Sequence, residues 1–299
     1  ARRSYLQFLF AALKLPILPT YNDFQYKVNV DINSKNRISF IGLGAIDQFA
    51  LNTKVNEGLT DTAKIEYNNF LLGNIPMQSQ WNYTMGVNYQ HFSEHSIQQV
   101  VVSRNMLNNE AYRYKDLIET PANLLQNYKS FEAENKVRLE HTYRKNGFRW
   151  NVGLGYEYAR YRNETYNNIT VQGFPVVIDY TSDLFLSKYA AFTQVSQAFL
   201  NEKLNLSFGL RMDGSNYSKT MANPLNQLSP SFSLNYRVRE NIAINANISR
   251  FHQIPAYTIL GYRNMAGDLV NKQNNLQYIR ADHFVLGAEY RTKSSSRIT

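Results

Sequence analysis

The sequence predicts an all-β chain, an antiparallel up-and-down transmembrane β-barrel, on three observations. Apolar and polar residues alternate over strand after strand. Tight polar turns alternate with long irregular segments. No run of eighteen apolar residues exists that could cross a bilayer as a helix. A barrel strand turns one face to lipid and the other to the lumen, so a mean hydropathy of −0.45 does not argue against a membrane.

The tight turns read Asn33 to Asn36, Ser93 to Ser96, Arg144 to Gly147, Leu200 to Lys203 and Val238 to Asn241, with a sixth within Thr292 to Arg297. Roughly ten to thirteen alternating residues flank each, the length of a tilted membrane-spanning strand. Long segments fall between them at 51–78, 109–127, 162–186, 218–228 and 252–279. Outer-membrane barrels have this asymmetry, with short periplasmic turns and long extracellular loops.

Strand by strand, Phe24, Tyr26, Val28, Val30 and Ile32 share one face and oppose Gln25, Lys27, Asn29 and Asp31. Trp81, Tyr83, Met85, Val87 and Tyr89 repeat the pattern, as do Phe148 to Tyr158, Leu204 to Met212 and Phe232 to Val238. In 131–143, Phe131, Ala133, Val137, Leu139 and Tyr143 alternate with Glu132, Glu134, Lys136, Arg138 and Glu140. A one-sided soluble sheet gives the same alternation, but these strands are longer than the usual five or six residues. The pattern repeats through about twelve strands. Gly42, Gly44, Gly86, Gly153, Gly155, Gly209 and Gly287 are assigned to the inward face, crowded against something inside or, equally, forming bulges that bend the sheet. Residues 4–14 could form an amphipathic helix; a strand ending near Phe10, then a loop holding Pro16 and Pro19, is preferred. Residues 105–120 stay ambiguous, and helical content is expected to be minor.

The chain has no cysteine, which excludes disulfides, thiol catalysis and thiolate metal sites. Its net charge of +9 comes from scattered residues, with no basic arm for nucleic acid. It opens at Ala1 without Met or a signal peptide, and is read as an internal piece of a longer protein.

Several pieces resemble the TonB-dependent receptor barrels of Bacteroidetes. They are Arg2 to Phe10, Leu18 to Gln25, Ile41 to Phe49, Lys188-Tyr189-Ala190-Ala191-Phe192-Thr193-Gln194, Leu228 to Tyr236, Ile248 to Pro255 and Arg280 to Tyr290. The resemblance covers nearly the whole chain, and the order of the pieces is more specific than any one of them. It implies that 1–299 is the central part of a barrel of about twenty-two strands, without the plug domain or the closing strands. It further implies uptake of a large or scarce nutrient (siderophore, metal chelate, vitamin or glycan), with no catalytic residue and no cofactor. The implied partners are the receptor's own plug and remaining strands, the TonB-ExbB-ExbD complex, and a surface lipoprotein. Membrane lipid and lipopolysaccharide would surround it.

Within that frame Arg138, Glu140, Arg149, Glu157, Arg211, Asp213 and Arg237 are lumen-lining candidates. They line a substrate path or, as the preferred reading, bind the plug and one another. Tyr112, Tyr114, Tyr166, Tyr180, Tyr257 and Tyr262 are candidates for ligand contact from the loops; they could equally form an outer aromatic girdle. His91-Phe92-Ser93-Glu94-His95 matches a zinc-protease pattern, but it straddles a strand end and a turn, so no metal site is expected. His141, on the outward phase, has no matching serine motif for a lipid hydrolase. The rival readings are a complete small barrel, acting as passive pore or lipid-directed hydrolase, and a non-membrane β-sheet binding module.

Overall fold

A computed structural model describes residues 1–292 and 297–298. Thirteen strands form one antiparallel sheet in which every strand pairs with its sequence neighbours. They are β1 (Arg2–Arg3), β2 (Ile17–Asn33), β3 (Asn36–Leu51), β4 (Met77–Phe92), β5 (Ser96–Tyr114), β6 (Leu124–Lys145), β7 (Phe148–Val171), β8 (Phe174–Phe199), β9 (Leu204–Ser215), β10 (Ser229–Arg239), β11 (Ile242–Gln253), β12 (Ile279–Arg291) and β13 (Arg297–Ile298). The first and last are two-residue pieces, and the sheet is open between them. The five expected tight turns are all present. In the turn before β7, Asn146 and Gly147 both take positive φ (50° and 75°), the conformation that an Asn-Gly hairpin supplies. The sixth expected turn lies outside the described residues.

Strand registers carry the facial assignment from one strand to the next. Val137 on β6 faces Tyr156 on β7, and both belong to the apolar outward set. Along that face many large apolar side chains stay open, among them Leu154 (56%), Phe208 (54%) and Leu286 (80%). On β7 the outward set runs from Phe148 to Tyr158 and stops at Arg160, which forms a two-pronged pair with Asp183 of β8 (3.0 and 2.7 Å). About ten steps of roughly 3.4 Å along a strand tilted by about 40° give about 25 Å of height, the thickness of a barrel's lipid-facing band.

Four expectations are corrected. Residues 162–186 are not an irregular loop. There β7 and β8 continue as a ribbon to a turn at Gln172-Gly173 (φ 53° and 86°), roughly 40 Å of strand beyond Arg160. Above the band no lipid meets the outward face, so the alternation that lipid imposes stops while backbone pairing continues. Residues 4–14 hold a helix, α1 (Leu6–Ala12), because β1 pairs with β2 only through Arg2 and Arg3. Beyond Arg3 the Leu- and Ala-rich segment closes its own hydrogen bonds, such as Leu13 N–H to the Leu9 carbonyl. Pro19 sits inside β2, opposite Phe49, on the stretch that β1 leaves as an edge. Gly42 and Gly44 lie on the outward face, opposite Tyr26 and Phe24; a Cβ there would fall 2.2 and 2.5 Å from those rings. Helical content is minor, as expected. α2 (Thr62–Asn74), capped by Asp61, fills the β3–β4 loop, and the ambiguous 105–120 stretch is strand to Tyr114 and then a short 3-10 turn.

The sheet leaves unpaired backbone at two edges and a broad apolar face, the template for aggregation. Residues 1–299 expressed alone without detergent are expected to sediment as aggregate. A cooperative monomer by gel filtration and thermal unfolding would contradict the membrane assignment of the outward face.

Candidate functional site

The described buried core lies at the long-loop end of the inward face. Ala159 and Tyr161 on β7 and Leu184 and Leu186 on β8 meet Tyr217 and Met221 from the β9–β10 loop. Tyr257 and Leu260 complete the cluster. They belong to α3 (Tyr257–Leu260), in the long segment between β11 and β12. That segment therefore folds inward as a strap, crossing from β11 to the wall formed by β6, β7 and β8.

Charge anchors the strap. Glu134 and Lys136 on β6, Glu157 on β7 and Lys188 on β8 share the inward face through direct register pairs. Lys136 sits 2.7 Å from Glu134 and 3.3 Å from Glu157. Lys188 pairs with Glu157 and lies 3.3 Å from Glu134. Asn105 of β5 donates to Glu134 at 2.8 Å. Into this network the Tyr257 hydroxyl donates to Glu134 (2.5 Å) and accepts from Lys188 (2.6 Å). The Lys188 ammonium also lies 4.8 Å from the centre of the Tyr257 ring. Two carboxylates against two ammonium groups balance, so their shared burial is tolerable.

Packing and backbone hydrogen bonds seat the rest of the strap. The Tyr257 ring stacks on Tyr161 with centroids 5.6 Å apart. Tyr217 donates to the Leu260 carbonyl at 2.8 Å, and Ser182 donates to the Gly261 carbonyl. A Cβ at Gly261 would meet the Tyr161 ring at 2.7 Å, so the close approach requires glycine there. Arg263 donates to Ser182 (3.1 Å), and Tyr262 meets Tyr180 edge-on at 5.9 Å. Burial pushes the Tyr217 phenol up to about 12. Burial, with the Glu134 carboxylate beside it, raises that of Tyr257 further.

Below the strap the wall is concave. A cavity of about 360 Å³ is lined by Lys136, Arg138, Glu157, Lys188, Arg211, Asp213 and Tyr278. A second, of about 320 Å³, shares Arg138 and Arg211 and adds Glu140, Gln194, Ser229 and Ser231. Arg138 is 3.0 Å from Glu140, and Arg211 is 2.6 Å from Asp213, each two residues along its own strand. Such a surface of paired charges and hydroxyls suits polar contacts with a segment filling the lumen.

The structure thus brings Arg138, Glu140, Glu157, Arg211 and Asp213 onto one continuous wall. Arg149, which donates to Asn151 at 3.4 Å, and the exposed Arg237 lie apart, near the short turns. Of the tyrosines, Tyr180, Tyr257 and Tyr262 converge on the strap. Tyr112 and Tyr114 are strand residues on the outward phase of β5, 5.9 Å from each other, beside a cavity of about 160 Å³ formed with Leu51, Ile75 and Met77. Tyr166 stands on the ribbon. Lys188 was missed, although it shares the inward phase of the Lys188 to Gln194 motif. His91 bonds Asn36 at 2.9 Å, while His95 is 3.6 Å from Glu94. Among the described residues no group of three potential metal ligands converges. His141 is bound to Gln98 (3.2 Å) and edge-on to Trp150.

A model of the TonB dependent receptor-like β-barrel matches residues 20–299. The chain belongs to the TonB-dependent receptor β-barrel family. That family places this receptor barrel in the outer membrane of a Gram-negative bacterium. No curated protein matches its sequence. Among solved structures, it is similar to the copper transporter OprC (14% identity, 93% of this chain and 44% of that chain, TM-score 0.64). It is also similar to Pseudomonas aeruginosa FpvA bound to pyoverdines (11%, 93% and 40%, 0.66) and to the ferric enterobactin receptor PfeA of the same species (15%, 92% and 41%, 0.64). These likenesses concern the fold, and the receptor barrel described here spans less than half the length of each.

Two outcomes are expected in the receptor that carries this barrel. Tyr257→Phe removes the hydroxyl between Glu134 and Lys188 and should loosen the strap by about 1–3 kcal/mol. Lys188→Met leaves Glu134 and Glu157 against the single ammonium of Lys136 and should loosen it more, by about 3–5 kcal/mol. Hydrogen exchange of the 254–278 amides reads both, and unchanged protection would refute the anchor. Alkaline titration provides the other. Raised folded-state phenol values mean that this stabilisation is whole below pH 10 and is lost as pH climbs from about 10 towards 12 and beyond. Phenolate absorbance should therefore show Tyr217 ionising near pH 12, together with strap release.

Proposed function

We propose that residues 1–299 are the central barrel wall of an active-transport receptor that takes up a large or scarce nutrient, a siderophore, metal chelate, vitamin or glycan, through a plugged lumen. The family match over 20–299 carries this reading. The inward wall supports it: Arg138–Glu140 and Arg211–Asp213 offer paired charges to a plug. The strap narrows the mouth above them, and Tyr180 and Tyr262 present ring edges there for a ligand. The similar structures are named for copper, pyoverdine, enterobactin and ferric citrate, which favours a metal or metal chelate.

Transport needs no catalytic group in the wall. Energy would come from the TonB-ExbB-ExbD complex acting on the plug, and a surface lipoprotein would cap the long loops. The order of motifs from Arg2 to Tyr290 points to a Bacteroidetes source. Deleting the receptor gene should abolish growth on the limiting nutrient. A protonophore should stop uptake in wild-type cells without reducing surface binding. Uptake that persists with the proton-motive force collapsed would indicate a passive pore instead.

A further inference from the structure

One arginine of the outward face has no place in the wall's economy of paired charges. On the long-loop side of the lipid-facing band, Arg160 meets Asp183, Arg162 meets Glu164, and Arg250 and Arg280 both meet Asp282. Arg104 of β5 also belongs to the outward phase, opposite Met85 on β4 and Asn135 on β6. Among the described residues no carboxylate lies within ion-pair distance of it. Its Nε donates to the Tyr83 hydroxyl (3.1 Å), one Nη to Asn135 Oδ1 (2.8 Å), and the other reaches only the Met106 sulfur at 3.7 Å. A guanidinium carries five N–H groups and prefers planar, anionic oxygen partners. These neutral contacts orient the fork and leave its charge uncompensated.

The level of Arg104 is that of the girdle. Tyr83 stacks on Trp81 with centroids 6.3 Å apart, and Asn135 lies opposite Tyr158, the last apolar position of β7 before Arg160. Aromatic side chains of this kind sit at the headgroup level of a barrel. Towards the short turns from Arg104, the same face sinks into a groove of about 420 Å³ lined by Tyr26, Phe40, Met85, Val102, Val137 and Tyr156. A cation at headgroup height above an apolar groove is complementary to one ligand chemistry, a phosphate carrying acyl chains.

We propose that Arg104 and the groove below it hold a lipopolysaccharide molecule of the outer leaflet, with the guanidinium on a lipid phosphate and an acyl chain along Met85, Val102 and Val137. The long loops face outside in this orientation, so the leaflet at the level of Arg104 is the one that carries this glycolipid. The site depends on that orientation and not on which nutrient crosses the lumen.

The test uses the whole receptor, extracted from its outer membrane in mild detergent. Retained lipopolysaccharide is measured by phosphate and hydroxy-acyl analysis. Arg104→Gln should retain about tenfold less, the loss expected for a charge-assisted contact. Arg160→Gln, which removes an arginine already paired, should retain the wild-type amount. Val137→Trp fills the groove with Arg104 intact and should also lower retention, which keeps the test open if Arg104→Gln does not fold. After delipidation, lipopolysaccharide should reload the wild-type protein and phosphatidylglycerol should not compete. Wild-type retention by Arg104→Gln or by Val137→Trp, an equal loss in Arg160→Gln, or equal reloading by phosphatidylglycerol would each overturn the proposal.

Discussion

Backbone hydrogen bonding is the constraint on which everything else in this molecule rests. In a bilayer an unpaired amide or carbonyl has no water to turn to, so a spanning strand must be paired on both sides along its length. From β3 to β11 the sheet meets this requirement with the simplest topology available, each strand between its neighbours in sequence. Register then follows from the turns. Because side chains alternate with period two, fixing one hairpin fixes which residues of the next strand face lipid. The pairing of Val137 with Tyr156 and of Lys136 with Glu157 are two consequences of one register.

The same register creates the inward charge network. Glu157 faces Lys136 on one side and Lys188 on the other, so three adjacent strands deliver alternating charges to one patch. The strap uses what the wall offers. A phenol is suited to that position, since it donates to a carboxylate and accepts from an ammonium while its ring covers apolar surface. Tyr257 does all three, with Glu134, Lys188 and Tyr161. The mouth of the barrel is thus narrowed by a segment held by both this charge network and the buried cluster around Tyr257 and Leu260.

The sequence made the membrane-embedded half of the fold legible and left much of the extracellular half unread, for a physical reason. Inside the band, lipid on one side and lumen on the other impose alternation, as in Phe148 to Tyr158. Beyond it no lipid faces the strand, and Thr165 to Val171 reads as loop although it is hydrogen-bonded strand. Residues 4–14 failed differently. Helix and strand are both compatible with Leu6 to Ala12, and only the early end of β1 at Arg3 decides between them. The faces of Gly42 and Gly44 follow from register with Tyr26 and Phe24, which no single-strand reading contains. For the wall, period two puts Arg138, Glu140, Glu157, Arg211 and Asp213 in the inward phase. It could not reveal that Tyr257 crosses the lumen to join them, because that contact spans more than a hundred residues of chain.

The two faces of the sheet therefore obey opposite rules for charge, and the contrast explains where each arginine sits. Inward, charge is cheap because water and polar segments share the lumen, so paired residues such as Arg138 and Glu140 occur in the middle of strands. Outward, charge is admitted only where the lipid band ends. Arg160, Arg250 and Arg104 mark that line on three strands, the first two neutralised by Asp183 and Asp282 on the adjacent strand. At Arg104 the adjacent strands supply Met85 and Asn135 instead. Neither removes the charge, which leaves it open to the proposed lipid phosphate.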